Sequence, residues 1–151
     1  MVYIEVAEAQ AWAEQSKLNI LDIDADLEAS VSTQVLARLA ASYDTTVWTT
    51  STSTPSLVRK IIAMQYVSWQ ISRAYAADAG ENDYALRLLG MSETLIDGII
   101  SGAIPLTDLV SGQTTFDTSP AFYPTDTSSA MSPTADDRSL GGPVFTMGVI
   151  W

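Results

Sequence analysis

Neither cysteine nor histidine occurs anywhere in the 151 residues. Without thiols there is no disulfide framework, thiolate metal site or redox switch, a state compatible with assembly in the cytosol. Without imidazole as well, a zinc site is left with carboxylates alone, and a Ser or Thr nucleophile lacks its usual base. Bases are scarce: 7 Lys and Arg stand against 18 Asp and Glu, for a formal net charge of −11. The acids are spread, 13 in residues 1–105 and 5 in residues 106–151, so no acidic tail explains the imbalance. A surface of this sign repels nucleic acid. Three readings of the charge stand open: a wall along which DNA slides without sticking, a decoy that imitates DNA, or a plain acidic soluble protein.

Long apolar runs are missing too. The most apolar stretch, from Ile61 to Ile71, is broken by Gln65 and Gln70 and flanked by Arg59, Lys60 and Arg73. It falls short of the roughly 20 apolar residues of a membrane span. Met1-Val2-Tyr3-Ile4 runs straight into Glu5 and Glu8 rather than into the core of a signal peptide. The expectation is a soluble protein with no membrane contact.

What is present is helical periodicity over about the first 105 residues. Glu5 to Gln15 reads as a short helix with Val6, Ala9, Ala13 and Trp12 inward. A second helix opens near Asp24, a capping residue, with Asp26 and Glu28 suited to the positive helix start. Leu27, Val31, Val35, Leu39 and Tyr43 then recur at i+4 as an inward stripe, and the helix should stop near Ser42. Residues 44–54, hydroxylic and β-branched, suit an extended loop. Thr54-Pro55 signals a third helix, a hydroxyl cap before a first-turn proline, running to about Ala77. Leu57, Ile61, Met64, Ile71 and Tyr75 mark one of its faces, and Val58, Ile62, Tyr66 and Trp69 an adjacent one. Apolar on two sides, it reads as the central helix. Ala79-Gly80 breaks the pattern and Glu81 or Asn82 opens a fourth helix. Its stripe is Tyr84, Leu88, Met91, Leu95, Ile99 and Ala103, reinforced by Leu89, Ile96 and Ile100, and Gly102 and Pro105 end it. Gly90 and Gly98 inside that helix each cost about 1 kcal/mol against Ala; close approach of another backbone or tolerated weakness explains them equally. The fold class is therefore all-α: a small bundle of about four helices over 1–105, followed by a long extended arm over 106–151 that ends in a β-strand-like segment.

The arm is rich in Ser, Thr, Asp, Pro and Gly between residues 111 and 143, a composition that buries too little apolar area to fold alone. Phe116, Phe122 and Tyr123 stand out in it as intermediate anchors. Fully extended at about 3.3 Å per residue, it reaches on the order of 150 Å. It closes on Val144-Phe145-Thr146-Met147-Gly148-Val149-Ile150-Trp151, where Phe145, Met147, Val149 and Trp151 share one face and Ile150 lies on the other. A lone strand needs a sheet edge or a groove. Folding back onto the helices is one outcome. Docking on a partner or a neighbouring subunit is the expected one, since the linker is longer than a fold-back requires.

Catalytic and ligand signatures are absent. Asp22, Asp24 and Asp26 offer carboxylates at alternate positions, but a calcium loop would need Gly where Leu27 stands and Glu where Thr33 stands. A helix-capping acidic turn is the simpler account, and no metal or cofactor is expected. There is no Gly-x-Ser-x-Gly elbow, no Ser-x-x-Lys pair and no phosphate-cradling loop; Ser139-Leu140-Gly141-Gly142-Pro143 lacks a following Lys or helix. The chain does not read as an enzyme. Arg59, Lys60 and Arg73, three of the seven bases, fall in the third helix. They either pair with the surplus acids of their own surface or form ion pairs between subunits.

The order of a short helix, a second helix, a Thr/Trp loop and then Thr54-Pro55-Ser56-Leu57-Val58-Arg59-Lys60-Ile61-Ile62-Ala63-Met64-Gln65-Tyr66, together with Leu95-Ile96-Asp97-Gly98-Ile99-Ile100-Ser101-Gly102, resembles the head-to-tail adaptor (connector) proteins of tailed bacteriophages. The resemblance covers about residues 3–106 and is compositional and topological, not catalytic. It implies a structural protein of the virion neck, assembled in the host cytoplasm. The implied assembly is a ring of typically twelve copies under the portal, which extends the DNA channel and meets the stopper or tail. It also implies that the arm, through Phe145, Met147, Val149, Ile150 and Trp151, contacts the portal or an adjoining subunit. DNA would pass through without specific binding. The competing expectations are an acidic DNA mimic that inhibits a nucleic-acid-binding protein, and another neck or tail-completion protein.

Overall fold

The computed structural model describes residues 2–108; Phe116, Phe122, Tyr123 and the apolar octet of the arm lie outside the described residues. Regular structure within them is helical: α1 (Val6–Ala13), α2 (Ala25–Leu39), a 3₁₀ turn (Thr45–Val47), α3 (Ser56–Ala74) and α4 (Ala79–Ile100). The described residues form an all-α bundle of four helices, none of them long and apolar enough to cross a membrane.

α3 is the centre. It packs on α1, α2 and α4, most extensively on α4. Every residue from Ile61 to Ser68 is buried, and each large apolar side chain among them contributes about 1.5–3 kcal/mol. Polar residues in this run are matched across the α3–α4 seam. Ser68 Oγ donates to the Ala85 carbonyl (2.7 Å), and Gln65 Nε2 donates to Ser92 Oγ (3.1 Å) and Glu93 Oε1 (3.2 Å). Small residues at Ser68, Ala85 and Ser92 let the two helices approach, while the hydrogen bonds remove the penalty of burying their polar atoms.

The expected faces hold in α2 but only in part in α3 and α4. In α2, Val31, Val35 and Leu39 are buried, followed by Tyr43, with Leu27 partly so. In α3, Trp69 is 45% exposed, and in α4, Met91 is 50% exposed, although both continue an apolar stripe. The buried face of α4 is Ala85, Leu88, Ser92, Ile96 and Ile99, rotated from the expected one so that the small Ala85 and Ser92 join Leu88, Ile96 and Ile99. Trp48, expected in an open loop, is buried against Tyr43, their ring centroids 6.0 Å apart.

Three helix starts differ in their chemistry. Asp24 caps α2 as expected, accepting from the Asp26 (3.1 Å) and Leu27 (3.2 Å) amides. Thr54 does not cap α3; its hydroxyl donates back to the Thr50 carbonyl (2.7 Å), and the Ser56 amide instead donates to Asp108 Oδ2 (2.7 Å). α4 begins two to three residues early, at Ala79, because Asp78 accepts from the Gly80 (3.0 Å) and Glu81 (3.2 Å) amides and takes Gly80 into the first turn. At the other end of α4, Gly102 adopts φ 80° and turns the chain back. The Gly102 amide donates to Ile99 (3.1 Å) and the Ile104 amide to Gly98 (2.9 Å). This lays Ile104 on Gly98, where a Cβ would stand 2.6 Å from Ile104 Cδ1, while nothing lies within 4 Å of one at Gly90. The close approach expected at Gly98 is thus a side chain's, and Leu106 just beyond is buried.

Candidate interaction surface

Five of the six bases in residues 2–108 are paired within the fold, and four of these pairs join separate elements. Lys17 reaches Asp78 (2.7 Å), Arg38 of α2 reaches Glu93 and Asp97 of α4 (3.1 Å to the latter), Arg59 of α3 reaches Glu8 of α1, and Arg73 of α3 reaches Asp24 (3.2 Å). The fifth, Arg87–Asp83, is a loose contact of 3.7 Å within α4. Of the three bases considered for contacts between subunits, Arg59 and Arg73 therefore have partners in their own chain. Lys60 alone among the described bases has no carboxylate partner, and it is exposed.

Lys60 stands at an apolar groove of about 350 Å³ between α1 and α3, lined by Glu8, Ala11, Trp12, Lys60 and Ala63. The groove exists because small side chains, Ala11 and Ala63, face each other where the helices cross, leaving the half-buried Trp12 as a wall. Glu8 is held at its edge twice, by Arg59 and by the Glu5 amide, which donates to Glu8 Oε2 (2.9 Å). A second groove of about 210 Å³ shares Ala11 and Trp12 and runs to Tyr84, Leu88 and Met91 of α4. Tyr84 is fixed there by its hydroxyl, which donates to the Trp12 carbonyl (2.6 Å).

The segment between α1 and α2 is tied from several sides. The Ile20 amide donates to Gln10 Oε1 (2.7 Å), the Lys17 amide to the buried Glu81 carboxylate (3.2 Å), the Tyr75 hydroxyl to the Lys17 carbonyl (3.0 Å) and the Asp24 amide to Tyr66 Oη (2.8 Å). Held between these ties, Leu21 is 81% exposed, the highest value of any large apolar side chain described. Its neighbour Asp22 is exposed, and its carboxylate accepts only from the adjacent Ile23 amide (2.9 Å).

The carboxylates that cap helices are shifted down. Asp24 is held below the ordinary range chiefly by the Leu27 amide, then by Arg73, and Asp78 chiefly by its hydrogen bond from Lys17, then by the Glu81 amide. At Asp108 burial pushes upward, but the Ser56 amide and hydroxyl outweigh it and the net shift is down. Among the described residues no three His, Cys, Asp or Glu side chains converge to hold a metal ion.

Sequence reasoning missed the most buried carboxylate. Glu28, read only as an acid suited to the helix start, is 1% exposed, and its Oε1 accepts from the Tyr3 amide and the Ile4 amide (3.1 Å). The available signal was register: Glu28 lies three residues before Val31, in line with the buried stripe. The arm residues Phe145, Met147, Val149, Ile150 and Trp151 lie outside the described residues. Comparison of the chain with protein-family models, with curated proteins and with solved structures finds no match.

Proposed function

We propose that this chain is a structural head-to-tail adaptor of a tailed phage. In this reading it forms a ring under the portal, extends the DNA channel and passes the arm to the portal or an adjoining subunit. The observation that carries the reading is the disposition of charge. Five of the six described bases are neutralised within the bundle, while Glu5, Glu14, Asp22 and Asp26 stay exposed without an ion pair. Binding phosphates takes many free Lys or Arg contacts, and a surface with one free cation among the described residues instead lets DNA pass by repulsion. The helix order, with α3 central and the arm leaving after α4, agrees with the sequence resemblance and supports the same reading. The stopper or tail would meet the opposite rim of the ring, and assembly would take place in the host cytoplasm before the protein becomes part of the neck.

Native mass spectrometry of the purified protein with its phage's portal ring tests this. A discrete multi-copy adduct, weakened when residues 144–151 are removed, is the expected result. A portal that ignores the protein, leaving an acidic monomer that instead binds a basic nucleic-acid-binding protein in a salt-sensitive way, would move the assignment to a DNA mimic.

A further inference from the structure

Two features of the bundle complement each other and have no partner among the described residues. One is the projecting pair Leu21-Asp22, an 81% exposed apolar side chain beside a carboxylate without an ion pair. The other is the groove of Ala11, Trp12 and Ala63, apolar and about 350 Å³, with the unpaired Lys60 at its rim. We infer that Leu21 of one copy seats in this groove of a second copy, with Asp22 meeting Lys60.

The charge argument selects the occupant. Every other described base already faces a carboxylate of its own fold. An exposed Lys left over on a chain of net charge −11 is attracted to an acid on another molecule. Leu86, the next most exposed at 66%, lies one turn of α4 from Asp83, which already pairs with Arg87. Asp26 lies four residues further on, also exposed and without an ion pair, and adds to the negative charge this segment presents. The Leu21 side chain supplies the apolar burial, and the ion pair fixes register, which is the role an exposed pair can fill.

Because the projection and the groove are different residues, the contact is heterologous. Each copy gives one Leu21 and receives one, so association continues until a ring closes or a filament grows. Closure into a ring rests on the adaptor reading; the contact itself does not.

The experiment is sedimentation velocity and native mass spectrometry on the full chain alone, over a range of concentrations at low salt. The native chain is expected to populate dimers and larger species. Leu21→Asp and Lys60→Asp should each weaken association by about tenfold or more, as loss of a buried anchor or its charge partner does. Asp22→Lys should weaken it as well, and the double variant Asp22→Lys/Lys60→Asp should recover it. Mixing Leu21→Asp chains with Lys60→Asp chains should give a one-to-one complex that grows no further, since only one intact projection and one intact groove remain. These residues are exposed or line a surface groove, so unchanged circular dichroism will show that the variants fold. A native chain that stays monomeric, single variants that associate like it, or a double swap that restores nothing would each overturn the contact. A chain that self-associates in this way yet ignores the portal would overturn the adaptor reading alone. Portal binding that survives while Leu21→Asp assembles normally would overturn only the contact.

Discussion

Replacing Glu28 with Ala removes the acceptor that holds the start of the chain to α2. One oxygen, Oε1, accepts from the amides of Tyr3 and Ile4, both of which are buried, as is Glu28 itself. A buried amide left without an acceptor costs about 1–3 kcal/mol. The loss of two is offset in part, because the variant no longer desolvates a carboxylate. The expected net destabilisation of Glu28→Ala is about 2–4 kcal/mol, a large share of the ~5–15 kcal/mol by which domains are stable. At roughly 4–8 °C per kcal/mol for a bundle of this size, Tm should fall by about 10–25 °C. Glu28→Gln keeps an acceptor oxygen and loses only the charge assistance, so it should cost about 1–2 kcal/mol. Thermal and urea unfolding of the full chain, followed by circular dichroism, measure both variants. Hydrogen exchange at the Tyr3 and Ile4 amides then locates the effect: protection there should drop more than at α3. If Glu28→Ala unfolds within about 0.5 kcal/mol of the native chain, or the two amides exchange as before, the reasoning fails.

The glycines of α4 should separate by position. Gly90→Ala meets open space and should stabilise by up to about 1 kcal/mol, whereas Gly98→Ala must displace Ile104 and should gain less or lose; paired urea midpoints decide. Gly102→Ala, placed at φ 80°, should destabilise by about 1 kcal/mol in the same assay. Asp108→Ala leaves the first turn of α3 without its acceptor and should cost about 0.5–2 kcal/mol, read as a fall in Tm. Asp24 and Asp78 have folded-state pKa values held below the ordinary carboxylate value. Their stabilisation is therefore complete above about pH 4 and is lost as pH falls from there through the lowered values. Asp24→Ala and Asp78→Ala should each flatten the loss of stability in that window, and an unchanged acid slope in urea melts would refute the assignment.

Four helices, their order and the central place of α3 follow from the sequence by itself. The spacing of apolar residues states which stretches must bury one side, and Leu27 to Tyr43 and Leu57 to Ile71 state it plainly. Asp24 as a cap was legible for the same reason: the donors it satisfies are its own neighbours in the chain. The candidate surface was legible only in part. Arg59, Lys60 and Arg73 were visible as a group of bases on one helix, but which of them was free was not, because their partners Glu8 and Asp24 lie far away in sequence. Trp69 and Met91 were misplaced, and the burial of Glu28 and Trp48 went unread, because periodicity gives the direction of a face and says nothing about what arrives to cover it. The cap of α3 comes from Asp108, about fifty residues away, for a donor that local rules assign to Thr54. Local geometry repeats along a chain and can be read from it. The groove of Ala11, Trp12, Lys60 and Ala63 at the surface depends on how α1 and α3 cross, and the free energy that sets the crossing belongs to the whole packed core.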